Sequence, residues 1–284
     1  MMRSLFSGVA GLKAYQTGMD VIGNNIANVN TYGFKSSSTI YRDVYYQTIA
    51  GSSASSTTNS AGGGNPTQIG YGSTAASVNV NTARSGMATT GNPSDCYING
   101  EGYFVVQDGT DFLYTRVGQL SFDGDGNLVD GNKKIVCGWN KGVTPPTDGV
   151  KTADLKAIKV ADYGDYKNIT IGSDGKITGE KNGTVETLGT VALASIPNPA
   201  GLTQEGGSYY KAVSNVANTT YPIKYYAAGS GTTGGLVTGA LESSNVDLAN
   251  EFSQMIVTER GFQANSKIIT VSDEMLEDLV NLKR

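Results

Sequence analysis

Histidine is absent from this 284-residue chain, tryptophan occurs once and cysteine twice. Without imidazole there is no Ser-His or Cys-His base, and the commonest zinc ligand is missing. Cys96 and Cys137 fit no CxxC metal or redox spacing and are expected as unlinked, mostly buried thiols. No Walker loop, GxSxG elbow or HExxH helix occurs. Charged residues make up only 16 %, the net charge is −4 and no basic run exists, so nucleic acid is not an expected partner. No stretch nears the roughly 20 apolar residues of a membrane span, so membrane insertion is not expected either. The start, "MMRSLFSGVAGLKAYQ", has interrupted apolarity and no cleavage-like continuation. It does not read as a secretory signal, which taken alone points to the cytoplasm.

Two acidic patterns invite a chemical reading and do not sustain it. Asp108 and Asp111 could pair as in a glycosidase, but they sit in Gly-rich turn sequence. In "DGDGNLVDGNKK", Asp123, Asp125 and Asn127 match positions one, three and five of a calcium loop. The glycine due at position six is Leu128 and the glutamate due at twelve is Lys134, so a hairpin turn is the better reading. No catalytic, cofactor-binding or metal residues are expected, and the chain does not read as an enzyme.

What the sequence has in excess is glycine, 38 residues against a usual share of roughly 7 %. Heptad-spaced apolar residues occupy its two ends. Leu5, Leu12, Met19 and Ile26 recur every seventh position, with Gly8, Tyr15, Ile22 and Val29 as a second row. This predicts a helix that stops near Thr31–Gly33. Leu248, Met255, Phe262, Ile269 and Leu276 repeat the pattern, widened by Phe252, Ile256 and Val280. That helix is expected over about 246–282, with Ser244 or Asn245 as N-cap and Lys283 and Arg284 at its negative end. Isolated amphipathic helices are marginal in water, so the two stripes are expected to pair with each other and with neighbouring chains.

Between the ends the period falls to two. Apolar runs alternate with Asn-Gly, Asp-Gly and Gly-Asn steps, the strongest short hairpin signal. The expected fold class is α+β: paired terminal helices forming a discontinuous domain, plus an antiparallel β-rich body. The expected organisation is an N-terminal helix in 1–32, an extended connector in 33–74, a β domain in 75–240 and a C-terminal helix in 241–284. The low-complexity "AGSSASSTTNSAGGGNPTQIGYGS" (50–73) is expected to be flexible or extended until assembly. Residues 140–165 leave room for a small insertion only.

"DVIGNNIANVNTYGFK" near the start and "GALESSNVDLANEFSQMIVTERGFQANSKIITVSDEMLEDLVNLKR" at the end closely resemble the terminal signatures of bacterial flagellar axial proteins, the rod and hook family. "GEGYFVVQDG…YTRVGQLSFDGDGNLV" resembles that family's β domain, so the likeness spans nearly the whole chain. Within the family, "GALESSNVDLANEF" with the closing "LVNLKR" is most similar to hook subunits, as is the compact length to hooks of Gram-positive bacteria. The distal rod branch is the alternative, and a secreted β-rich adhesin or glycan-binding protein a third reading.

The resemblance implies a helical tube of identical subunits, with terminal helices lining a central channel and the β domain outside. As a hook it would join rod to filament, bend, and transmit motor torque. Its implied partners are copies of itself, rod and hook–filament junction proteins, a hook cap and the flagellar type III export apparatus. Its implied place is extracellular, at the hook or basal body, which overrides the cytoplasmic reading. Leu5, Leu12, Met19, Ile22 and Ile26 would form one side of the inner-tube seam. Leu248, Phe252, Met255, Phe262, Ile269 and Leu276 would form the other. Asn24, Asn25, Asn28, Gly33 and Phe34 would shape the turn from helix into connector. The asparagines are expected to supply replaceable hydrogen bonds at an interface that shifts, without the desolvation cost of a charge. For Asn28 and Asn30 the alternative is that they mark a fraying helix end.

Overall fold

A computed structural model describes residues 2–54, 63–145, 149, 155–218 and 221–282. The chain is α+β, with a long helix at each end and antiparallel β structure between. It divides into two compact units. Unit 1 comprises Met1–Ala27, Ser36–Asn81 and Val246–Arg284; unit 2 comprises Asn28–Lys35 and Thr82–Asn245.

Unit 1 contains helices α1 (Met2–Ala27) and α2 (Leu248–Asn281). Helix α1 stops at Ala27, short of the expected Thr31–Gly33, because the next residues satisfy one another locally. The Asn28 carbonyl accepts from the Thr31 amide, and its side-chain oxygen accepts from the Thr31 hydroxyl. Helix α2 begins later than expected. Its N-cap is Asp247, not Ser244 or Asn245, and one Asp247 carboxylate oxygen accepts from the amides of Ala249 and Asn250. An anion at the positive end of the helix dipole makes that residue the stronger cap. Lys283 and Arg284 lie outside the described residues.

Residues 33–74, read as an extended connector, contribute to an antiparallel ribbon. Strands β1 (Ser37–Asp43), β2 (Tyr46–Ala50), β3 (Thr67–Gly70) and β4 (Ser73–Val80) pair β1 with β4 and β2 with β3. A Ser53–Gly64 bridge extends the second ladder. The β-branched and tyrosine residues in these strands favour pairing despite the surrounding low complexity. The tip, 55–62, lies outside the described residues.

Unit 2 holds strands β5 (Met87–Thr89), β6 (Cys96–Asn99), β7 (Tyr103–Asp108), β8 (Asp111–Thr115), β9 (Leu120–Phe122), β10 (Leu128–Asp130), β11 (Ile135–Asn140) and β12 (Lys156–Ala157). They continue as β13 (Lys167–Ile171), β14 (Lys176–Lys181), β15 (Thr184–Ser195), β16 (Thr203–Gly206), β17 (Tyr209–Lys211), β18 (Lys224–Ala227), β19 (Gly235–Thr238) and β20 (Ala240–Glu242). The main sheet runs β13-β14-β15-β11-β7-β8-β17-β16, every pairing antiparallel. Of the region read as an insertion, 146–148 and 150–154 fall outside the described residues.

Strand alternation divides the core of unit 2 between two clusters. Phe104 and Val106 join Ile98, Leu120, Leu188 and Leu193 in one, while Tyr103 and Val105 join Trp139, Tyr114 and Tyr225 in the other. The acidic turns serve this sheet. Asp123 Oδ1 accepts from the amides of Asp125 and Asn127, closing the turn between β9 and β10. Asp108 and Asp111, at the β7–β8 hairpin, bond Lys134 and Lys211 respectively.

Cys96 belongs to the first cluster and Cys137 to the second; both are buried free thiols, as expected. Burial pushes both thiols up to about 12. The native protein should therefore resist a thiol-specific reagent at neutral pH, and both cysteines should react once it is unfolded. Fast labelling of the native state would contradict this packing.

Candidate assembly interface

The two helices of unit 1 run antiparallel along a seam of small and polar residues. On α1 the buried positions are Gly8, Gly11, Ala14, Gly18, Ile22 and Asn25. On α2 they are Glu251, Thr258 and Ser272. Moving forward along α1 and backward along α2, Ser4 meets Ser272, Gly11 meets Asn265, Gly18 meets Thr258 and Asn25 meets Glu251. Each row is spaced by seven residues. The glycines lie at points of close approach, where an added side chain would displace a neighbour. A Cβ on Gly11 would lie 2.9 Å from the Asn265 amide, and one on Gly18 only 2.1 Å from the Tyr41 hydroxyl.

The expected apolar seam lies beside this row. Leu5, Leu12, Met19 and Ile26 are half-buried, as are Met255, Phe262, Ile269 and Leu276; Ile22 is buried. Leu248 and Phe252 are exposed. Apolar periodicity alone missed the contact row, because residues with little or no side chain carry little hydrophobic signal. The seven-residue spacing of Ser4, Gly11, Gly18 and Asn25 was the usable sign.

Asn25 is committed within its own unit. Its Oδ1 accepts from the Ser37 amide at 2.9 Å, and its Nδ2 donates to the Ser37 carbonyl at 2.8 Å and to Glu251 Oε1 at 3.0 Å. One amide thus joins the end of α1, the start of β1 and the first turn of α2. Asn24 and Asn30 are exposed and Asn28 half-buried. Gly33 takes φ +68°, which glycine adopts readily, and its amide donates to the Glu242 carbonyl. The Phe34 carbonyl accepts from Asn245.

Glu251 is buried with its second oxygen, Oε2, lacking a partner among the described residues. Burial, and secondarily the charge of Asp247, holds its carboxyl above the usual range, against the opposing Asn25 hydrogen bond.

Among the described residues, Ala14 and Ile22 are the only apolar side chains of unit 1 in the buried core; every other one belongs to unit 2. Phe6, Ile49, Ile256, Val257, Val280 and Leu282 of unit 1 are all more than half exposed. A cavity of about 340 Å³ opens between α1, β1 and α2, lined among others by Tyr15, Ile22, Tyr41, Val257 and Thr258. No described helix is long and apolar enough to cross a membrane.

A well-packed β body joined to a helix-and-ribbon unit with scarcely any core is the build of a structural subunit, with apolar surface left uncovered in the single chain. Three family models match: a flagella basal body rod protein model over residues 5–35, a flagellar hook protein FlgE/F/G D1 domain model over 97–179, and a flagellar basal body rod FlgEFG protein C-terminal model over 237–282. The chain is 42 % identical to the flagellar basal-body rod protein FlgG of Bacillus subtilis and 32 % to that of Borreliella burgdorferi, covering all of both chains in each case. It is 27 % identical to the flagellar hook protein FlgE of Borreliella burgdorferi, again over the whole of each chain. The chain belongs to the flagellar rod and hook family of axial proteins. It is a non-enzymatic structural subunit of the bacterial flagellum.

Two outcomes follow from the Asn25 junction. Asn25→Ala should cost about 1–3 kcal/mol locally, read as faster hydrogen exchange of the Ser37 amide, while Asn24→Ala leaves that amide unchanged. Because the Glu251 carboxyl is raised, its contribution is full below its ordinary value of 4.5 and is lost as pH climbs through the raised value. The melting temperature of the helices should therefore fall with rising pH in the wild type relative to Glu251→Gln. Parallel pH profiles for the two would refute the assignment.

Proposed function

We propose that this chain is the distal rod subunit of the flagellar basal body. The observation that carries the proposal is the length of the alignments. The FlgG rod relatives of Bacillus subtilis and Borreliella burgdorferi align over 286 and 290 positions with a chain of 284 residues. The hook relatives of Borreliella burgdorferi and Treponema pallidum need 447 and 471, so long stretches of them have no counterpart here. The hook reading of "GALESSNVDLANEF" and "LVNLKR" yields to this, because terminal signatures are shared by both branches. The paired ribbon within 33–80 also suits a stiff part better than a loose linker would.

In this reading, copies of the chain assemble through unit 1. The half-buried stripes at Leu5, Leu12, Met19 and Ile26 and at Met255, Phe262, Ile269 and Leu276 complete their burial against neighbours. The exposed Leu248, Phe252, Ile256 and Val257 do the same. Burying a large apolar side chain contributes about 1.5–3 kcal/mol, so a few such contacts per subunit suffice to drive polymerisation. The adjoining rod and hook proteins are the further partners, and the flagellar type III apparatus the route of export.

Electron microscopy of basal bodies from a deletion strain tests the proposal. Loss of the distal rod is expected; complete rods that lack only the hook would overturn it. Phe252→Ser combined with Ile256→Ser should leave the monomer's melting within about 0.5 kcal/mol, since both positions are exposed in the single chain. The same pair should sharply reduce rod assembly in the complemented strain. Normal rods would argue against this face as the interface.

A further inference from the structure

Unit 2 contains a buried ion cluster that the assembly function does not account for. Lys35 and Arg116 are each 1 % exposed and Glu242 is 0 % exposed. Glu242 Oε1 accepts from Lys35 Nζ at 2.5 Å and from the Ser85 amide at 2.9 Å, while Oε2 lies 3.5 Å from Arg116 Nη1. Arg116 also donates to the Gly100 carbonyl, and its guanidinium lies 5.0 Å from the centre of the Tyr103 ring. A second carboxylate, Glu101, reaches Arg116 only at 4.0 Å and is 79 % exposed.

Three separate chain segments converge on this cluster, and each is bonded to the other two. Segment 33–35 meets 242–245 through the Gly33 amide on the Glu242 carbonyl and the Asn245 amide on the Phe34 carbonyl. It meets 83–86 through Lys35 Nζ on the Ala83 carbonyl. Segment 242–245 meets 83–86 through the Ser243 amide on the Gly86 carbonyl and the Ser85 hydroxyl on the Ser244 carbonyl. Tyr97 then ties the Ser85 carbonyl to the body of the unit. Each segment adjoins a point where the chain passes between units, at 35/36, 81/82 and 245/246.

We propose that the Lys35–Glu242–Arg116 cluster is a latch that makes segments 33–35, 83–86 and 242–245 one cooperative unit, which opens from the body of unit 2 together. The argument is one of charge. Two buried cations share one buried anion, so neither 33–35, which carries Lys35, nor 242–245, which carries Glu242, can leave without stranding a charge in the interior. A stranded buried charge is far costlier than an exposed one. Segment 83–86 is bonded to both charged side chains through the Ala83 carbonyl and the Ser85 amide. The latch is also asymmetric. Removing Lys35 leaves Arg116 and Glu242 balanced, whereas removing Glu242 leaves Lys35 with no carboxylate and Arg116 with only the distant, exposed Glu101.

Hydrogen exchange on the full-length protein tests this at the amides of Gly33, Ser85 and Ser243. Glu242→Gln should speed all three by more than about tenfold, and Lys35→Met by clearly less. Adding Lys35→Met to Glu242→Gln should slow exchange again, because it removes one of the two stranded cations. Equal effects of the two single variants, or additive damage in the double variant, would overturn the latch. If Glu242→Gln does not fold, the wild type in low denaturant decides. A single shared opening equilibrium for the three amides supports the latch, and three different ones refute it.

Discussion

Unit 1 must hold two long helices and a β ribbon with almost no apolar core of its own. Ala14 and Ile22 are its only buried core apolar side chains among the described residues. Hydrophobic burial is the main favourable term in folding, so such a unit is under-stabilised as a single chain. Other features of unit 1 read as responses to that constraint. The helices approach closely at glycine, the apolar stripes stay half-buried, and large apolar side chains such as Phe6, Ile256 and Val257 stay exposed. Unit 2 is built the opposite way, with a sheet buried on both faces and two apolar clusters of its own.

The polar seam between α1 and α2 follows from the same division. If the apolar stripes faced each other fully inside one chain, little would remain to bind the next. Placing Ser4, Gly11, Gly18 and Asn25 against Ser272, Asn265, Thr258 and Glu251 holds the pair in register and leaves the leucines and methionines partly available. Small residues allow the backbones to come close, and the polar partners make any other register costly because a slip would strand them.

Much of this was legible in the sequence, and the misses share one cause. Seven-residue apolar spacing located both helices, and Gly-rich two-residue steps located the hairpins of the body. The family was legible in the terminal motifs. Apolar periodicity could not reveal that the intimate contacts belong to glycine, serine and asparagine, because it weighs side chains by hydrophobicity and these have little. Composition marked 50–73 as flexible or extended but gave no sign of which partners the flanking segments take, β1 with β4 and β2 with β3. The N-cap of α2 falls at Asp247, two residues past Asn245 and three past Ser244, because a carboxylate at the positive end of the helix is the stronger cap. The choice between hook and rod depends on where whole stretches are missing, which only alignment to relatives makes visible.

Both units solve the problem of a discontinuous chain in the same chemical way. In unit 1 a carboxylate from the C-terminal segment, Glu251, meets an N-terminal amide, Asn25. In unit 2 a carboxylate nine residues earlier, Glu242, meets an N-terminal cation, Lys35. Apolar contact could hold the two ends of the chain together but would not specify which residues meet, since one aliphatic surface accepts another with little preference. A buried polar group accepts only a partner that satisfies it. Burial lowers the Lys35 ammonium below its ordinary range even with Glu242 beside it, which shows how much desolvation the arrangement bears. That cost is consistent with groups retained for the specificity of their pairing rather than for net stability. Under the proposed assembly through unit 1, such internal keys keep the pairing within the chain distinct from pairing with a neighbour. Without them, the open apolar surfaces of unit 1 could equally well satisfy each other within one chain.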